Sequence, residues 1–409
     1  MKQNLLFVGW FDIPHSYAIV NCNQLISLIK KYSSVYNFYR LDYPYPDIYK
    51  NKWNNLEQKK IYSEESYKLL SDLKPYKGEK IDLIYSITYP YDVNLMIHPS
   101  IPKVVFFTSE FTELNASYFN LNVKVLDDAL LGDYLESHKN VQFTSPSVWS
   151  KDSLKKYGRE NTLIPHGVDQ DVFKIDKSNR QSIRDLYKFK DDDIVFLNLG
   201  SMTGNKGIIE LFIAITVCIC RLNMKHLKLV LKGINDLYQS EDFVVNYMKE
   251  TIKQNVLKRE EVDYVLENNV IFFNKTLSFK NLSDIYNACD VYISPYKAEG
   301  FNLTVLEALA CGMDVIVSDN GSTKFFVDEI VEKTNDNGVH LLKTVLTEVN
   351  SESMKELKYD INDIINIIHN NYKTFKILDK KERVDYIHKN FSWDNTADKL
   401  HELFSRLIV

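Results

Sequence analysis

No stretch of this 409-residue chain is apolar for long enough to read as a membrane-spanning helix. The most hydrophobic run, 208–219, is interrupted by Glu210 and falls short of the roughly 20 residues that a bilayer requires. The opening residues, MKQNLLFVGWFDIPHS, contain an apolar run too short for a signal peptide and read as a first strand. Cysteine is scarce: Cys22, Cys218, Cys220, Cys289 and Cys311 are odd in number and include no CxxC pair. That argues against a disulfide framework and for buried thiols in a reducing compartment. An excess of positive charge is lacking too. The 50 Lys and Arg are outnumbered by 55 Asp and Glu, so no basic face dominates and nucleic acid is not expected as an obligate partner. No GxGxxG follows the first strand, which counts against a NAD-dependent dehydrogenase. Internal repeats and low-complexity segments are absent from the sequence. What is left is a soluble α/β chain, expected in the cytoplasm, with peripheral contact to a membrane surface left open. Its length exceeds a usual single core, so two domains are expected.

The stretch 291–318, VYISPYKAEGFNLTVLEALACGMDVIVS, carries most of the information. It reads as a buried strand (291–294), a loop with Pro295 and Gly300, a helix over 302–311 and a second strand (314–318). Two carboxylates bracket the turn into the helix, Glu299 before Gly300 and Glu307 after seven intervening residues. At about 1.5 Å rise per residue, Glu307 falls roughly one and a half turns inside the helix, while Glu299 stays in the loop at its mouth. The N–H groups of Phe301, Asn302, Leu303 and Thr304 fall at the helix start, where unsatisfied donors and the macrodipole favour an anion. A phosphate suits such a pocket. Glu307 is the lone charge on a helix otherwise built from Leu303, Val305, Leu306, Ala308, Leu309 and Ala310, which sets it apart from an ordinary solvated glutamate. Carboxylates on both sides of a phosphate site accept hydrogen bonds from paired hydroxyls, so a nucleotide sugar is the simplest ligand.

These residues resemble the signature of the family 4 glycosyltransferases, retaining enzymes of the GT-B fold, in which two glutamates are separated by seven residues within a segment close to EGFGLxxLEAMAxGxPVI. This chain has EGFNLTVLEALACGMDVIV, with Asn302 for a frequent glycine and Asp314 for a usual proline. The resemblance implies two Rossmann-like domains facing across a cleft: an acceptor-binding domain over 1–175, a nucleotide-sugar-binding domain over 190–390, and a C-terminal helix (391–409) that crosses back to the first domain. The polar run 169–193 reads as the linker between them. The implied reaction transfers a sugar, with retained configuration, from a UDP- or GDP-linked donor to a carbohydrate or glycolipid hydroxyl. No cofactor is expected beside the donor, and no metal ion either, because no Asp-x-Asp motif lies near the site.

Other candidates follow the chain. A strand over 4–9 leads into a loop with His15 and Ser16, where a ligand would approach a doubly wound sheet. The glycine pair common in this loop of the family is missing, and a surface role for His15 stays open. Glu110 follows the strand 103–108 and is either an acceptor contact or a helix-capping glutamate. The segment PHGVD, 165–169, resembles the family's run at the end of the first domain, making His166 a cleft residue or a turn histidine. In the second domain, a strand over 194–200 runs into SMTGNKG and an apolar helix, another anion cradle. Family members carry an arginine where this chain has Ser201 and a lysine where it has Lys206. Lys232, ending the strand 226–231, is the candidate for the missing cation or else a structural lysine. Residues 42–78 read as a polar, Tyr-rich insertion. Two other readings remain: a GT-B protein that binds a sugar nucleotide without transferring it, and a sugar-nucleotide epimerase.

Overall fold

Short runs of β-branched and aromatic residues form two parallel sheets, each wrapped by amphipathic helices. The computed structural model describes residues 2–44, 61–94, 100–114, 116–119, 128–349, 354–375 and 380–408. Residues 45–60 of the insertion expected over 42–78 lie outside these, and a helix at Glu64–Ser71 occupies part of the remainder. The chain divides into two units: 1–167 with 348–355 and 391–409, and 168–347 with 356–390. No described helix is long and apolar enough to cross a membrane.

The first unit holds seven strands: β1 (Gln3–Gly9), β2 (Tyr36–Asp42), β3 (Lys74–Pro75), β4 (Leu83–Ile87), β5 (Lys103–Phe106), β6 (Val141–Ser145) and β7 (Thr162–Leu163). Their order is β3-β2-β1-β4-β5-β6-β7, with every pair parallel. β4 is buried along its whole length, as a parallel strand covered on both faces must be. Helix α1 (Ser16–Tyr32) starts where the His15 side chain accepts from the Tyr17 amide. The C-terminal helix, Trp393–Leu407, packs on α1 within this unit, crossing back from the second as the family resemblance implies. Tyr32 donates to Asp398 at 2.6 Å, Tyr36 meets His401 at 2.7 Å, and Phe404 packs edge-on against Phe7 and Tyr85. Its capping residue presses on Gly167, where a Cβ would come within 2.1 Å of the Ser392 carbonyl carbon, so only glycine fits.

The second unit contains β8 (Ile194–Leu199), β9 (Leu227–Lys232), β10 (Val270–Phe273), β11 (Val291–Ser294), β12 (Asp314–Ser318) and β13 (Val339–Leu342). The parallel order β10-β9-β8-β11-β12-β13 reverses direction between β8 and β11. Helix α2 (Arg180–Leu186) corrects the linker expectation for 169–193, because it packs on α4 (Phe279–Ala288), beyond α3 (Ile208–Cys220), and belongs to this unit. Arg180 and Arg184 both reach Asp290, at 2.5 and 3.4 Å, and that carboxylate is 1% exposed. Asp314, standing where the family has proline, is held by Lys380 at 2.6 Å in a buried cluster with Asp336 and Arg383.

Candidate functional site

In an open parallel sheet, ligands bind beyond the carboxyl ends of the strands where the strand order reverses. In the second unit that point lies between β8 and β11, and the two loops leaving these strands carry the residues singled out in the sequence.

The loop after β8, residues 200–207, is tied internally by Ser201 Oγ on Thr203 Oγ1 at 2.8 Å and Thr203 Oγ1 on Asn205 Oδ1 at 2.6 Å. It closes on Gly207, whose φ of 69° is left-handed; a Cβ there would lie 2.0 Å from the Pro295 carbonyl oxygen. Only glycine permits that approach of the two loops. Asn205 then stitches them together: its carbonyl accepts from Lys297 N at 2.7 Å and its amide donates to Ala298 O at 3.1 Å. Across this seam the Lys206 ammonium forms an ion pair with Glu299.

Helix α5 (Leu303–Ala310) follows β11. Asn302 precedes it at φ 69°, ψ 64°, a left-handed conformation that glycine and asparagine adopt most readily, which accounts for asparagine at a position often held by glycine. Its side chain donates to Ser294 Oγ at 2.9 Å and accepts from Thr304 Oγ1 at 2.8 Å. The first-turn amides, including those of Leu303 and Thr304, have no intrahelical acceptor by the geometry of a helix start. One turn further, Glu307 Oε2 accepts from the Tyr286 hydroxyl at 2.9 Å. Burial among apolar neighbours pushes the Glu307 carboxyl up to about 8, against the opposing pull of that hydrogen bond. Tyr292 donates to Thr304 Oγ1 at 2.6 Å.

Ser201, Lys206, Glu299, Gly300, Phe301, Asn302, Leu303, Thr304 and Glu307 therefore all lie on the two loops and helix α5, and Lys232 ends the neighbouring strand β9 at the same carboxyl end of the sheet. Tyr286, Tyr292 and Asn205 were not foreseen as parts of it. A tyrosine on the buried face of α4 was the available signal, since a buried hydroxyl needs a partner. In the first unit, Ser16 is exposed at the start of α1, and Glu110 is exposed in the segment after β5, its carbonyl accepting from Trp149 at 3.1 Å. Burial lowers His15 to about 4, so the ring is neutral near pH 7. His166, expected as a cleft or turn residue, is a core side chain 4% exposed between Phe106 and Trp393. Burial keeps it neutral, pushing it down to about 3.

Residues 179–366 match the family described as "Glycosyl transferases group 1". The chain is 29% identical over 160 residues to the mannosylfructose-phosphate synthase of Agrobacterium fabrum, covering 39% of this chain and 32% of that protein. It is 27% identical over 242 residues to the lipopolysaccharide core biosynthesis mannosyltransferase LpsB of Rhizobium meliloti, covering 52% and 61%. Less than two thirds of either relative is thus spanned. Among solved structures, the sucrose-phosphate synthase of Thermosynechococcus elongatus superposes with a TM-score of 0.65 at 15% identity, over 99% of both chains. Anabaena HepE, solved in complex with UDP and glucose, gives a TM-score of 0.61 at 15% identity, covering 98% of this chain and 99% of that one. The chain has the GT-B fold, and residues 179–366, which fall in its second unit except for 348–355, match the group 1 glycosyl transferase family.

Proposed function

We propose that the protein is a retaining glycosyltransferase that moves a hexose from a nucleoside diphosphate sugar to a hydroxyl of a carbohydrate or glycolipid. The observation that carries this reading is the meeting of Lys206, Glu299 and the α5 amino terminus at the sheet reversal, with Glu307 one turn behind. In the proposed reaction the bond from the anomeric carbon to phosphate oxygen breaks, and its electron pair leaves with the diphosphate. The acceptor oxygen bonds to that carbon and its proton passes to a diphosphate oxygen. Lys206 and the first-turn amides of α5 neutralise the departing charge. Glu299, released from Lys206 by the phosphate, orients the transferred sugar, and Glu307 accepts from ribose hydroxyls. The bound nucleotides in the HepE structures support a nucleotide-sugar donor. His15, Ser16 and Glu110 are assigned to the acceptor side.

The test is product formation with UDP- and GDP-sugars and a panel of glycan and glycolipid acceptors, in the presence of EDTA. Transfer that persists under chelation, with retained anomeric configuration, is expected. Lys206→Ala should lower turnover by on the order of 10²-fold or more. Glu307→Ala should chiefly weaken donor binding. Tight nucleotide binding without transfer to any acceptor would instead favour a binding protein, the reading that the missing arginine at Ser201 keeps in play.

A further inference from the structure

The loop after β8 brings one cation, Lys206, to the anion cradle, and the adjacent Ser201 brings only a hydroxyl already engaged by Thr203 at 2.8 Å. A departing diphosphate carries more charge than one lysine offsets. The neighbouring strand supplies a lysine in an unusual state. Lys232 is the last residue of β9, in register with Leu199, and its carbonyl accepts the Gly200 amide at 3.0 Å. It is therefore one backbone hydrogen bond away from the loop that bears Ser201 and Lys206. From the other side, the Lys206 side chain passes Gly200 with its Cε 4.0 Å from where a Cβ would stand, so both lysines depart from the same corner.

Lys232 is 5% exposed, yet no described carboxylate lies within ion-pair distance. Its ammonium donates to the Gly233 carbonyl at 2.5 Å. An ammonium has three donors, so two are left without a protein acceptor among the described residues. Of the other described lysines of comparable burial, Lys103 donates to the Asp92 carbonyl at 2.6 Å and feels the charge of the Asp92 carboxylate, and Lys380 has both Asp314 and Asp336 within 4 Å, as a buried charge requires. Burial pushes Lys232 down to about 8, so most of the population still carries the charge near pH 7. A dry cation that lacks an acid at a sheet edge built for anions is incomplete without one.

We infer that Lys232 supplies the second cation for the donor diphosphate, replacing from β9 the arginine that Ser201 displaces from the β8 loop. The inference rests on the nucleotide-sugar reading above and adds a residue to it. A compensating relation between two positions follows. A guanidinium introduced at 201 should make the lysine at 232 dispensable.

Calorimetric titration of the full chain with UDP, GDP, uridine and guanosine separates the possibilities. Lys232→Met should weaken whichever diphosphate binds by roughly 10- to 100-fold, the range for one lost hydrogen bond to a charged group, and leave nucleoside binding unchanged. Adding Ser201→Arg to that variant should restore at least tenfold. Lys232→Gln, which keeps a donor for the Gly233 carbonyl, serves if the methionine variant does not fold, and should show the same selective loss. Wild-type diphosphate affinity in either variant overturns the inference, as does an equal loss for nucleosides and diphosphates, the mark of a structural lysine. If the wild-type protein itself binds neither diphosphate, the nucleotide-sugar reading fails first, and that outcome is distinguishable from the others.

Discussion

A carboxyl that keeps its proton at neutral pH changes the way a protein responds to base. Glu307 titrates near 8 in the folded chain because α5 and the apolar side of α4 shut out water around it. An unfolded glutamate gives up its proton near 4.3. Between those values the native state binds more protons than the unfolded state, so this residue's contribution to stability declines as pH rises from about 4.5 to about 8 and is flat outside that window. Glu307→Gln removes the dependence. Melting curves between pH 5 and 9 should show the variant gaining on wild type throughout the window, and parallel curves would contradict the assignment. His15 acts with the opposite sign. Its ring falls from 6.5 to about 4, so stability is lost as the pH drops through that interval and the cap of α1 must accept a charge. Only part of this was legible in sequence. The isolation of Glu307 on an apolar helix was visible, whereas its Tyr286 partner sits 21 residues earlier on another helix and had no local signal.

At the level of elements, the two short loops at the sheet reversal were readable because glycine, asparagine and lysine fall at fixed offsets from apolar strands. The asparagine for glycine exchange at 302 fits its backbone angle, and the aspartate for proline exchange at 314 fits the lysine waiting at 380. Helix α2 was misread as a linker because its polar composition hides two arginines that point inward at Asp290. The long-range partner, not the local pattern, decides that helix. Asp290→Ala should leave both guanidiniums facing a buried gap and destabilise the second unit by about 3–5 kcal/mol, measured as a lower urea midpoint at unchanged slope. Gly207→Ala forces a side chain against the Pro295 carbonyl in a left-handed conformation. A loss of about 2 kcal/mol or more is expected, together with weaker diphosphate binding as the loops part.

For the whole molecule, the two parallel sheets followed from alternating apolar strands and helices. The return of the last helix to the first unit followed from family resemblance alone, since an amphipathic helix does not state its destination. That helix covers Phe7 and Tyr85, which are fully buried. Deleting residues 391–409 should expose them, so the first unit is expected to lose its cooperative unfolding transition. Protection of the second unit by UDP or GDP should persist, since none of the assigned donor-binding residues is removed. Calorimetry of the shortened chain checks both halves of that expectation.

The same arrangement sets an order of events during synthesis. A ribosome delivers β1 through β7 long before Trp393, so the first sheet emerges with one flank uncovered and stays that way while the whole of the second unit is made. The nascent chain therefore carries an apolar surface through most of translation, and a chaperone that binds such surfaces has its longest opportunity on the half of the protein that is made first.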